Sequence, residues 1–127
     1  MNHPRHQNIT RLAWLPGLLL WGLCNSTQAQ QRQPVSEVVP LLVQAARQGQ
    51  AHGVLVGVGA QAIARRFGTQ SPIEIDVQRL HELPTPGCAR LEVTTRQQGV
   101  PEQDGPRDQI LVYQISYCAN GRFPPER

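Results

Sequence analysis

The sequence predicts an α+β domain: a small antiparallel sheet, its C-terminal hairpin closed by a disulfide, with one or two short helices before it. Three observations lead there. Apolar and polar residues alternate in "PIEIDVQRL" and in two later segments, as in half-buried strands. Apolar residues between 36 and 49 instead recur at helical spacing. The cysteines that remain after an N-terminal export signal, Cys88 and Cys118, each sit at one end of a strand candidate.

The first 29 of the 127 residues are set aside from the fold. "MNHPRHQNITRLAWLPGLLLWGLCNSTQAQQ" opens with Arg5 and Arg11 and no acid, runs through an apolar stretch from Leu12 to Cys24, and ends in small and polar residues. That is the three-part layout of a secretory signal peptide. The apolar run, about 13 residues, falls short of the roughly 20 that span a bilayer, and Pro16 and Gly17 weaken a permanent membrane helix. Thr27 and Ala29 place small residues where a signal peptidase reads, so cleavage is expected after Ala29, leaving no stable membrane anchor. The competing reading, acylation at Cys24, lacks the small residue that a lipobox needs before the cysteine, because Leu23 stands there.

Removal of that segment leaves ten arginines against nine acids. A near-neutral domain with no basic run interleaved with aromatics has no electrostatic footprint for nucleic acid. At about 98 residues the mature chain sits where a hydrophobic core alone is marginal, so a covalent link between Cys88 and Cys118 has a clear use. The expected division is a cleaved signal peptide at 1–29, a polar lead-in with a short helix at 30–52, and a disulfide-stabilised α+β domain at 53–127.

Residues 30–35, "QQRQPV", read as a flexible polar lead-in. In "SEVVPLLVQAARQG" Ser36 is a candidate N-cap, Gly49 the stop, and Val39, Leu42, Val43 and Ala46 the apolar side. Val54–Val58 reads as a short buried strand weakened by glycines, and residues 59–67 as a short helix with Ala60, Ile63, Ala64 and Phe67 in one stripe and Gly68 at its end. Ile73, Ile75 and Val77 then alternate with Glu74, Asp76 and Gln78. Pro86-Gly87 matches the centre of a type II turn.

Residues 89–96 and 110–117 are the hairpin strands, with 97–109 read as a long polar loop. A hairpin symmetric about residue 103 pairs Leu91 with Ile115, Val93 with Tyr113 and Ala89 with Tyr117, all on one apolar face. The same register sets Cys88 opposite Cys118, within disulfide reach. Alternation and cysteine placement select one register independently.

Other constellations have blander explanations. Cys88, Cys118, His52 and His81 make a Cys2His2 inventory, but no short Cys or His pair preorganises a metal site. A cysteine nucleophile would need a free thiol and a base, and His81 is the only histidine close to Cys88 in sequence. Glu74 and Asp76 share a strand face, as ordinary solvent-facing acids do. Gly57-Val58-Gly59 lacks the rest of a dinucleotide loop, since Ala62 stands where its third glycine belongs. The tail "YCANGRFPPER" offers a turn and an extended end. No catalytic residue, cofactor or metal is assigned.

The order "SPIEIDV", "PGCARLEVTTRQ" and "YQISYCANGRFPP" resembles small exported proteins encoded among the transfer genes of bacterial conjugative elements. The resemblance spans roughly residues 53–125 and is carried by Pro72-Ile73, Gly87–Leu91, Tyr117-Cys118 and the Gly121–Pro125 tail. It implies a non-enzymatic periplasmic or secreted protein with a protein partner in the envelope, an accessory of transfer through a type IV secretion apparatus. A sheet edge is the expected contact surface. The alternative is a secreted enzyme inhibitor or small ligand-binding module using the 97–109 loop.

Overall fold

A computed structural model of the chain describes residues 31–126. The signal peptide, its cleavage after Ala29 and Cys24 lie outside the described residues. In chain order the elements are β1 (Gln33–Val35), α1 (Val39–Gln48), β2 (Gln50–Leu55), α2 (Val58–Phe67), β3 (Ile73–Glu82), β4 (Cys88–Val100) and β5 (Arg107–Cys118). The five strands form one sheet in the order β1-β2-β3-β4-β5. The architecture is therefore α+β as expected, but the sheet is larger than expected and mixed, because β1 runs parallel to β2 while all other pairs are antiparallel.

The parallel pair corrects the reading of residues 30–35 as a flexible lead-in. Neighbouring parallel strands need a crossover of a dozen or more residues, and α1 supplies it. A three-residue strand with a single buried side chain, Val35, has no periodicity of its own; its pairing with Gly53–Leu55 creates it. The boundary expected at 52/53 accordingly falls inside β2.

Helix α1 starts later than Ser36. Its N-cap is Val38, without a side-chain cap, and its first backbone bond runs from the Leu42 N–H to the Val38 carbonyl. Starting there puts Pro40 among the first-turn residues, whose N–H groups have no helical partner anyway, whereas a start at Ser36 would lose a helical bond at Pro40. Gly49 ends the helix with φ of 96°, as expected. The buried side is Leu41, Leu42, Ala45 and Ala46, rotated from the expected stripe, and Val39 is exposed.

That side packs on one face of the sheet. Leu41, Leu42 and Ala45 meet Ala51, Ile75, Val77, Ala89, Leu91, Val93 and Tyr117 in a single core. Gly53 sits in β2 because α1 and β1 come so close: a Cβ there would lie 2.6 Å from Leu41 Cδ1 and 3.1 Å from the Gln33 carbonyl oxygen. The Arg47 guanidinium, donating to the Ala119 carbonyl at 3.0 Å, ties the end of α1 to the segment after β5.

The hairpin has the register anticipated from the alternation. Leu91 faces Ile115, Val93 faces Tyr113, Ala89 faces Tyr117, and Cys88 faces Cys118, with which it forms a disulfide across a Cα–Cα distance of 3.9 Å. The Cys88 N–H donates to the Thr85 carbonyl, closing the Pro86-Gly87 turn, and Gly87 has φ of 77°. The 97–109 loop is shorter than expected. Pairing continues to Gln97 with Gln109 and, past an irregularity at Gly99, to Val100 with Arg107, leaving residues 101–106 as the connection. Polar composition there reflects an exposed hairpin end, not an absence of strand.

Candidate functional site

Three features of the surface stand out. The first is β5 itself, which pairs with β4 on one side and forms an edge of the sheet on the other. Its residues 107–114 are all exposed, and among them Ile110, Leu111, Val112 and Tyr113 are 56%, 59%, 53% and 37% exposed. Alternation in a strand sends Leu111 and Tyr113 to the face that carries α1, and Ile110 and Val112 to the opposite face. Over Ile110–Tyr113 both faces of this edge are therefore apolar, with Arg107, Asp108, Gln109 and Gln114 on either side of the run. α1 covers the Tyr117 end of β5 and leaves this end bare.

The backbone of the edge is available as well. The Ala119 N–H bonds the Gly87 carbonyl across the hairpin, while the Cys118 N–H turns outward and donates to the Arg122 carbonyl. The alternation of an antiparallel ladder then directs the backbone groups of Ser116, Gln114, Val112 and Ile110 outward too. Among the described residues the tail folds over the edge at its Cys118 end, where Tyr117 donates its hydroxyl to the Gly121 carbonyl and stacks edge-on with Phe123.

The second feature is a groove of about 580 Å³ beside that edge, between α2 and the far end of the hairpin. Ile63 and Phe67 from α2 line it together with Ile73, Val100 and Leu111, and Ile110 lies at its rim. The expected α2 stripe thus exists, but no residue of the helix is buried, and Phe67 is half exposed. The amphipathic face of α2 lines a surface instead of completing the core. Gln97, the one buried polar residue among those described, anchors the floor by donating to the Ser71 carbonyl at 3.1 Å.

The third is a charged cluster on the sheet face opposite α1. Arg32, just before β1, donates to both carboxylate oxygens of Asp76 at 2.8 and 3.3 Å and lies 3.4 Å from Glu74. An ionised carboxylate only accepts, so the His52 Nδ1, 2.7 Å from Asp76 Oδ1, carries a proton. Burial alone would raise the Asp76 pKa, but hydrogen bonds from Arg32 and His52, with their charges, outweigh it and hold the carboxyl below the usual range. Glu74 and Asp76 are therefore more than solvent-facing acids: with Arg32 they pin the short β1 to the sheet. Asp76 thus bridges Arg32 and His52, while the buried His52 Nε2 has no hydrogen-bond partner among the described residues.

The sequence-derived candidates disperse. Cys88 and Cys118 are bonded to each other, which takes both thiols out of nucleophilic or metal-binding use. His81 lies exposed near the end of β3, beside a register shift that leaves Leu80 unpaired. Gly57 is the N-cap of α2, with no nucleotide-binding turn around it: the preceding strand β2 runs antiparallel to the following strand β3. Among the described residues no helix is long and apolar enough to cross a membrane. Comparison with family models, curated proteins and solved structures returns no match for this chain.

Proposed function

We propose that the protein is an exported, non-catalytic interaction domain of the bacterial cell envelope that takes a protein partner by strand addition at β5. The observation that carries the reading is the edge at Ile110–Tyr113, unpaired on its outer side among the described residues, apolar on both faces and with outward backbone groups. Natural proteins blunt such edges with lysine, proline or bulges unless another strand uses them. Backbone hydrogen bonds would supply affinity, and the side chains on either face would supply selection. The disulfide supports an oxidising compartment.

The resemblance of the β3, β4 and β5 motifs to proteins of conjugative elements points to transfer through a type IV secretion apparatus as the setting. A clean deletion, complemented with the native protein or with Val112→Lys, tests both parts. DNA transfer should fall on deletion, recover with the native chain, and stay low with a folded Val112→Lys protein. Unchanged transfer after deletion overturns the setting, and full rescue by Val112→Lys overturns the edge.

The groove favours a second reading, a module that accepts a small apolar ligand or a partner's side chains against residues 97–109. Its volume lies in the range of ligand pockets, although only one aromatic, Phe67, lines it. Shortening the 101–106 connection should abolish binding on this reading and spare it on the first.

A further inference from the structure

The run Ile110-Leu111-Val112-Tyr113 places apolar side chains on both faces of an edge strand, so a complementary strand must also be apolar on both faces. β3 and β4 alternate apolar and charged residues; among the described strands β5 carries the exposed four-residue apolar run. We propose that the occupant of the β5 edge is β5 of a second copy of this chain, paired antiparallel about a two-fold axis at Leu111. The inference rests on the reading of β5 as a docking edge and names its partner.

Several observations select that axis. A two-fold axis perpendicular to the sheet keeps each face on its own side, so odd residues meet odd and even meet even. Centring on Leu111 sets Leu111 opposite its own copy, and Ile110 opposite Val112 of the second copy. Ile110 and Val112 have outward backbone groups, so they meet as hydrogen-bonded pairs. Asp108 falls opposite Gln114, and no like charges face each other. The paired stretch, 107–115, stops short of Cys118, where Arg122 already occupies the edge.

The same register brings Tyr113 of the second copy opposite Gln109, a residue that lines the groove. Its ring then stands at the groove mouth, beside the apolar face of α2. This gives α2 a reason to hold Ile63 and Phe67 over a space and not over the core. Scaling the exposed fractions of Ile110 to Tyr113 and Phe67 by side-chain areas of roughly 150–250 Å² gives about 500 Å² per copy. With all of that surface covered, two copies would bury about 1,000 Å², the threshold for a biological interface and the range of a weak, reversible dimer. The opposite edge, β1, is three residues long and contains Pro34, so the assembly closes as a dimer and does not extend.

Sedimentation analysis of the full mature protein, with its disulfide intact, tests the inference together with three variants. Leu111→Cys should give a covalent dimer on mild oxidation, because Leu111 faces itself at a Cα spacing of about 4.5 Å, within disulfide reach; Arg107→Cys, facing Ile115, should not. Val112→Pro removes an outward N–H while sparing the bonds to β4, and should weaken association by about tenfold or more. A native protein that stays monomeric at millimolar concentration overturns the second copy as occupant. If that monomer still cross-links a foreign envelope protein through Val112, the docking edge stands and only its partner is changed. A dimer that Val112→Pro leaves intact, or that Arg107→Cys captures as readily as Leu111→Cys, overturns the β5 pairing.

Discussion

Removing the disulfide should cost this domain more than any single polar contact does. Cys88 and Cys118 lie 30 residues apart in sequence, at the base of the hairpin that carries the proposed edge. In the chain-entropy treatment, releasing a loop of this length lets the unfolded ensemble gain about 3 to 4 kcal/mol. For a domain of this size that corresponds to a fall in Tm of about 12 to 30 °C. The variant to use is the double Cys88→Ala/Cys118→Ala, because both side chains are buried and a lone thiol would invite mispairing. Thermal unfolding by circular dichroism, with the native chain measured before and after reduction, reads the difference. Since β5 pairs within the sheet only with β4, the loss should be accompanied by faster amide exchange along Arg107–Cys118. A Tm change below a few degrees, or a native chain whose mass shows two free thiols, would refute the latch.

Four further outcomes follow from the packing and the charges. Leu91→Ala empties a fully buried position in the core and should cost about 2 to 5 kcal/mol by denaturant titration. Gly53→Ala should cost about 1 to 3 kcal/mol, because the new Cβ meets Leu41, itself buried without room to give. Ile63→Ala in α2 should change stability by less than about 1 kcal/mol, since no residue of that helix is buried. Asp76 has a depressed pKa when folded, so its contribution is present above the unfolded carboxyl value near about pH 4 and fades as pH falls through the folded one. Asp76→Asn should therefore flatten the acid limb of the stability profile; an unchanged limb would show that the Arg32 tie contributes nothing.

What could be read from the sequence depended on how local its cause was. The β4–β5 register is legible because the apolar alternation of Ala89, Leu91 and Val93 and the position of Cys88 each select it, and a slip by one residue would spoil both. Gly49 and Gly68 mark their helix ends because the left-handed conformation at each needs glycine. β1 was illegible: "QPV" carries no periodicity, and its strand state comes from pairing with β2 and from Arg32 reaching Asp76, 44 residues away. The length of the hairpin was hidden for a related reason, since Gln97, Gln109 and Arg107 pair through their backbones, which composition does not report. Glu74 and Asp76 were visible as a pair, but only the sheet brings His52 and Arg32 to them. The apolar run at 110–113 was visible too, yet nothing local distinguishes a strand in the middle of a sheet from one at its edge.

Residue-resolved amide exchange of the native protein across a concentration series bears most directly on β5 as a binding edge. At low concentration Leu111, Tyr113 and Ile115, bonded to β4, should exchange slowly while Ile110, Val112 and Gln114 exchange fast. As concentration rises, or as an envelope extract is added, protection should spread to Ile110, Val112 and Gln114. Outward amides that stay unprotected under every condition would contradict the account.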